Sequence, residues 1–252
     1  MTTVNPIAVV ERCHDPARPG SAACANCNLR KLCLPVSLSP SDLERLDTLV
    51  ATRRGVRRGE TLFRRGDGFS SIYAVRSGFF KTVVSTSDGR DQVTGFQMAG
   101  ELLGLDGIGD AAHGCDAVAL EDSQVCVIPF ARLEGLAHEF TSLQHQFHRV
   151  MSREIVRDHG VMLLLSSMSA EERVAAFLLN LARRLAARGF SPSVFVLRMT
   201  RAEIGAYLGL KLETVSRCFS RLHGQGVLDV RQREVRIVDA GALRGLVAGA
   251  ES

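Results

Sequence analysis

The sequence lacks any apolar run near the ~20 residues that a membrane-spanning helix requires. Its start, Met1 to Glu11, lacks the basic-then-apolar order of a secretory leader, so a cytoplasmic protein is expected. Catalytic signatures are missing as well. There is no phosphate loop and no nucleophile–base pattern, and His113, His138, His145, His148 and His159 form no recognised ligand pair, which argues against an enzyme or a haem site. Cysteine occurs in an odd number, at positions 13, 24, 27, 33, 115, 126 and 218. In a cytoplasmic chain that disfavours a disulfide framework and favours metal or redox chemistry.

What is present suits a globular chain of one large or two medium domains: 252 residues, 46% hydrophobic and 23% charged. The net charge is only +4, but residues 168–252 carry 13 Lys and Arg against 8 Asp and Glu, a net of +5. A polyanion would meet the C-terminal third, although a solvated basic face explains the same excess.

Residues 1–38 show neither a helical nor a strand period, and Pro16, Pro19, Gly20 and Pro35 interrupt them, so this part reads as a wrapped arm. A helix follows, with Ser39 as N-cap, Pro40 in the first turn, and Leu43, Leu46, Leu49 and Val50 on one face. From Val56 to Phe130 short alternating runs are punctuated by glycine: Thr61–Phe63, Ser71–Val75, Phe79–Ser85, Gln92–Met98 and Ser123–Ile128. Their spacing predicts an antiparallel β-roll or jelly roll. A helix of roughly 39 Å then runs from about Thr141 to Ser166, and the capping box Ser169-x-x-Glu172 opens another that ends near Arg188. The fold class is therefore α+β. The arm spans 1–38, the roll with its leading helix 39–140, the long helix 141–167, and a C-terminal domain 168–252.

In the long helix Met151, Ile155, Asp158, Met162 and Leu165 recur at spacings of 4, 3, 4 and 3, the seam of a parallel two-fold coiled coil. Asp158 is the exception. Two copies meeting near the axis would repel unless one takes up a proton or both turn outward.

The box Thr200-x-x-Glu203 starts a short helix that Gly209 ends. Ile204, Leu208, Leu210, Val215 and Cys218 fill the apolar positions of a helix-turn-helix. Gly205 is small where the helices cross, and Gly209 supplies a turn requiring positive φ. The second helix, roughly Leu212–His223, would enter the major groove. Glu213, Ser216 and Arg217 share one face: Glu can accept from the cytosine amino group, Arg can grip guanine, and Ser can contact base or phosphate. Lys211, Thr214 and Arg221 suit phosphates. Val227–Arg231 and Glu234–Val238 form the hairpin of a winged variant. The plainer alternative for Glu213 and Arg217 is an ion pair on a solvated helix.

Cys24-x2-Cys27-x5-Cys33 places three thiols on a loop that lets them converge, which fits zinc or an iron–sulfur cluster. Cys126, in the last strand of the roll, is the best fourth donor. Cys13 could substitute as a ligand, and Cys115, beside the loop Gly107–Gly114, reads as a bystander. Leu29, Leu32 and Leu34 would give an apolar cover.

These segments together resemble the FNR (fumarate and nitrate reduction) branch of the cyclic-AMP receptor protein family. The resemblance covers about residues 13 to 240. It is carried by Cys24-Ala-Asn-Cys27-Asn-Leu-Arg-Lys-Leu-Cys33, Thr61-Leu-Phe63 with Gly66-Asp67, Arg76-Ser-Gly78, Val125-Cys126-Val-Ile-Pro129-Phe130 and Glu213-Thr-Val-Ser216-Arg217. It implies that Cys24, Cys27, Cys33 and Cys126 ligate a [4Fe-4S] cluster, which oxygen converts to a [2Fe-2S] form, so that the homodimer falls apart. It also implies a TTGAT half-site read by the recognition helix. RNA polymerase would be met by Ser77 and the loop Ser85–Gln92, with Asp88, Arg90 and Asp91. The roll is similar to cyclic-nucleotide-binding domains, which grip the cyclic phosphate with an Arg-Ser pair. The matching positions here are Gly114 and Cys115, so no cyclic nucleotide is expected. Structural zinc or thiol sensing on the same fold is the alternative.

Overall fold

The computed structural model describes residues 24, 27–29, 31–34, 38–50, 52–85, 89 and 91–248. Cys13, the breakers Pro16, Pro19, Gly20 and Pro35, and the loop residues Asp88 and Arg90 lie outside the described residues. Helix α1 (Pro40–Leu49) begins where expected: the Ser39 hydroxyl accepts from the Asp42 N–H, and Leu43, Leu46 and Leu49 turn inward. Eight strands follow: β1 (Thr52–Val56), β2 (Thr61–Phe63), β3 (Ser71–Ser77), β4 (Phe79–Ser85), β5 (Asp91–Met98), β6 (Leu102–Leu103), β7 (Asp116–Ala119) and β8 (Ser123–Pro129). They form two antiparallel sheets, ordered β1-β8-β3-β6 and β2-β7-β4-β5, that enclose Phe80, Leu103, Ala117 and Val125. Strand β8 is internal, and its Cys126 pairs with Arg53 of β1 on one side and Ala74 of β3 on the other.

Two helices leave the roll, α2 (Phe130–Glu139) and the 27-residue α3 (Thr141–Ser167). The start of α3 buries Leu143 and Val150 in a core shared with α1, β3 and β8. Further on, α3 keeps Glu154, Arg157, Val161 and Leu164 half-buried and leaves Ile155, Val156, Met162 and Leu163 exposed. No helix among the described residues is long and apolar enough to cross a membrane.

The C-terminal part contains α4 (Ala170–Ala186), α5 (Arg201–Leu208), α6 (Leu212–Gly224) and α7 (Ala240–Ala248). A sheet of β9 (Val194–Val196), β10 (Leu228–Arg231) and β11 (Glu234–Ile237) completes it. Its core is continuous with the outer surface of the second roll sheet, since Val93, Phe96 and Met98 join Val174, Phe177, Leu178 and Ile204. Arg173 ties the helix ends together. Its guanidinium donates to the carbonyls of Leu165 (2.8 Å) and Met168 (2.9 Å) at the end of α3, and of Leu208 (3.1 Å) at the end of α5, where the helix dipoles favour a cation.

Candidate nucleic-acid interface and thiol site

The helix-turn-helix packs through the expected side chains. Ile204, Leu208 and Val215 are fully buried, and Cys218 is a buried free thiol. Thr200 and Glu203 form a reciprocal capping box at the start of α5, and Gly209 ends the helix at φ +65°. A Cβ on Gly205 would stand 2.5 Å from the carbonyl oxygen of Leu210, so only glycine lets the turn close over α5. This packing leaves the opposite face of α6 in solvent. Lys211, Glu213, Ser216, Arg217 and Arg221 are exposed, and Thr214 is half-buried.

No ion pair joins Glu213 to Arg217 among the described residues; Arg217 instead makes a long hydrogen bond, 3.5 Å, to the Thr214 hydroxyl. Arg221 differs from its neighbours because it pairs with Glu171 of α4 at 3.2 Å. The β10–β11 hairpin adds Arg231 and Arg233 at its exposed tip. Sequence reading located this wing but not its two arginines, although the Arg231-Gln-Arg233 turn was a usable signal. The Val230 N–H donates to Nδ1 of His223, which fastens the wing to α6. Arg201 lies over the Phe219 ring, 3.3 Å from its centroid, and burial lowers its pKa to about 10.

The second site joins the arm to the roll. Cys24, Cys33 and Cys126 pack against one apolar core with Leu34, Leu46, Ile128 and Phe147. The four thiols lie near enough to act on one another: Cys33 and Cys126 raise Cys24, Cys126 and Cys27 raise Cys33, and Cys27 raises Cys126. All four are free. Burial pushes the Cys33 thiol up to about 12, with the nearby thiols adding to the rise. Burial and a hydrogen bond to Asp47 raise Cys24 further. Burial also raises Cys126, offset in part by Arg76 and Arg53. Asp47 additionally accepts from the Cys24 N–H; nothing in the cysteine spacing had pointed to it.

The thiols converge without closing, and among the described residues no three His, Cys, Asp or Glu side chains are gathered to hold a metal ion. The donor set nonetheless suits a soft metal centre, because it offers four sulfurs, no disulfide and an apolar surround. Leu34 is buried, while Leu29 and Leu32 are half-buried on the same stretch as the arm thiols.

Cys115 is separate from this group. Its thiol lies 3.5 Å from the Asp106 carboxylate, which also accepts from the N–H groups of Gly114 (2.7 Å) and Cys115 (3.3 Å). The Asp106 carboxylate thus takes up the backbone donors of this turn.

Along α3, Ile155 and Met162 are 53% and 64% exposed, Asp158 is exposed, and Met151 and Leu165 are half-buried. Val156 and Leu163 widen the apolar face beyond the seam read from sequence. Ser77 is exposed, and the Ser85 hydroxyl donates to Asp91 across the end of its loop.

Comparison with known proteins matches residues 172–246 to the Crp-like helix-turn-helix domain and residues 53–140 to the cyclic nucleotide-binding domain. The chain is 48% identical over 237 residues to the transcriptional regulatory protein btr of Bordetella pertussis, covering 94% of this chain and 98% of the relative. It is 49% identical to the transcriptional activator protein Anr of Pseudomonas protegens (90% and 93% covered). It is also 45% identical to the fumarate and nitrate reduction regulatory protein of Escherichia coli K12 (88% and 89%). Among solved structures, FixK2 from Bradyrhizobium japonicum superposes with a TM-score of 0.72 at 33% identity, covering 77% of this chain and 96% of that one.

Proposed function

Because the chain belongs to the FNR type of the CRP/FNR transcription regulators, which are DNA-binding proteins and not enzymes, we propose that it is an oxygen-responsive regulator whose Cys24, Cys27, Cys33 and Cys126 hold a [4Fe-4S] cluster. The observation that supports this reading is that Cys24 and Cys33 of the arm meet Cys126 of the strand on a single apolar surface, with Cys27 near enough to act on Cys33 and Cys126. Bound there, the cluster supplies an oxygen-labile cross-link between arm and roll. Cys126 is the fixed ligand, since β8 is paired on both sides. Cys24 must leave its hydrogen bond to Asp47 to ligate.

Phe147 and Val150 share the same core, so the arm bears on the start of α3. Two copies of α3 then pair along Met151, Ile155, Asp158, Met162 and Leu165, with Asp158 opposing the contact. The homodimer presents two α6 helices to a palindrome of TTGAT-type half-sites. Glu213, Ser216 and Arg217 read bases; Lys211, Thr214 and Arg221, with Arg231 and Arg233 of the wing, hold phosphates. Ser77 and the loop from Ser85 to Gln92 face RNA polymerase. No cyclic nucleotide enters the scheme, because Asp106 already takes the donors of the phosphate turn. In this scheme residues 1–38 form the cluster arm, 39–140 the sensor roll, 141–167 the dimerisation helix and 168–252 the DNA reader.

Anaerobic purification tests the reading. Brown protein with iron and acid-labile sulfide, which shifts a TTGAT palindrome before air and not after, is the expected result. Cys126→Ser should lose the iron while Cys115→Ser keeps it. Colourless protein containing zinc would instead favour the structural-metal alternative.

A further inference from the structure

The turn between β5 and β6 meets the arm, β3, α3 and the end of α4 at once. On one side it meets the arm: Gly100 has φ +88°, and a Cβ added to it would stand 2.9 Å from Cβ of Leu32, the residue before Cys33. Beneath, the Gly100 N–H donates to the Val75 carbonyl (2.7 Å) and the Val75 N–H donates to the Glu101 carbonyl (2.9 Å). Val75 adjoins Ala74, the ladder partner of Cys126. The turn therefore leans on both sources of thiols.

On its other side the same turn holds the DNA-binding domain. Arg184 of α4 donates to both carboxylate oxygens of Glu101, at 3.1 and 2.5 Å, and Arg188 donates at 2.7 Å. Arg188 also donates to the Ala99 carbonyl at 2.6 Å, and Arg184 donates to that of Phe96. Arg157 of α3 stands 4.0 Å from the same carboxylate. Glu101 is braced from within its own turn by the Met98 N–H, 3.0 Å away. Its side chain is only 16% exposed and that of Arg188 only 5%. Charge pairs this dry are costly to break by removing one partner. Burial alone would raise the Glu101 carboxyl; the three arginines outweigh it and hold it below the usual carboxylate range.

We propose that the turn Ala99–Glu101 couples the state of the cysteine arm to the DNA-binding domain, with Leu32 on Gly100 as the input contact and the Glu101–Arg184–Arg188 pairing as the output. The proposal rests on the cluster reading for the identity of the signal, but the coupling itself concerns only contacts of this chain. Leu32 lies between two of the ligands, so a rearranged arm presses on or releases Gly100. Glu101 then carries that shift to α4, whose Arg173 end holds the helix-turn-helix.

The test uses the full chain, with and without its cluster. Glu101→Gln keeps the size of the side chain and removes its charge. It should leave iron and sulfide content and the sedimentation of the loaded protein unchanged. The ratio of DNA affinities between loaded and cluster-free protein should shrink by about fivefold or more, the lower range of measured couplings. Amide exchange over 184–188 and 201–208 should rise. Leu32→Ala, measured by exchange in the cluster-free protein, should loosen 184–188 without altering any ligand, and its effect should vanish in the Glu101→Gln background. An unchanged affinity ratio in Glu101→Gln, or additive exchange effects of the two variants, overturns the coupling. Wild-type protein that takes up no iron would instead refute the cluster reading, and the Leu32→Ala exchange result would still decide the turn's role.

Discussion

Replacing Arg217 with alanine separates base reading from structural support. The side chain is exposed, and its one hydrogen bond, to the Thr214 hydroxyl, is long at 3.5 Å. Its loss should change folding stability by less than about 0.5 kcal/mol. On DNA, a bidentate grip on guanine contributes about 1–3 kcal/mol of discrimination. A two-fold dimer makes the contact twice at distant sites, so about 2–6 kcal/mol should be lost from binding the palindrome. Fluorescence anisotropy on anaerobically reconstituted protein would measure this, using one duplex with the TTGAT guanine in each half-site and one with it replaced. Wild type should discriminate strongly between the two, and Arg217→Ala should bind them almost equally. Lys211→Ala is the control: it should weaken both duplexes alike and flatten the salt dependence by about one phosphate per subunit. If Arg217→Ala weakened both duplexes by the same factor while keeping full preference for guanine, the residue would be a phosphate contact and the base-reading assignment would fall.

Three further outcomes follow from the same contacts. Asp158→Ala should yield dimers without a cluster, and a cluster-free variant that still sediments as a monomer would remove Asp158 from the switch. Glu101 and Glu203 are both held below the ordinary carboxyl value of 4.5, against burial, by Arg184 and Lys81 respectively among other partners. A depressed folded pKa gives stabilisation that is complete above 4.5 and is lost as pH falls through the folded value. The DNA-binding domain should therefore loosen from the roll only below about pH 4.5, seen as lower amide protection in α5 once the intrinsic pH dependence of exchange is divided out. Gly205→Ala forces a Cβ against the Leu210 carbonyl and should destabilise the C-terminal domain by about 1–3 kcal/mol, read as a lower thermal midpoint with iron content intact.

The helix-turn-helix was legible because its demands are local. Capping at Thr200, a left-handed Gly209 and the apolar positions from Ile204 to Cys218 lie within one short stretch. The long strands were legible for the same reason, and β4 matches its expected span of Phe79–Ser85. What escaped depends on distant partners. Strand β1 carries Arg53, Arg54 and Gly55, which mask any alternation, and it exists because β8 pairs with it. Helix α2 has no side-chain cap to announce it. The Glu101 pairings join residues 83 and 87 positions apart, a separation at which charge pattern carries no signal. At the thiol site, spacing singled out Cys24, Cys27 and Cys33, whereas Asp47, which comes from α1, needed the fold.

The guanidinium of Arg173 has a consequence for operator geometry. By gripping the last carbonyls of α3 and of α5 together, it removes the slack that a connecting loop would otherwise allow between the dimer stalk and the DNA reader. In the proposed dimer, a pair of subunits built this way should resist stretching to suit half-sites set farther apart. On the proposed palindrome, a rotation of one stalk against its twin would then swing each reading head along the duplex.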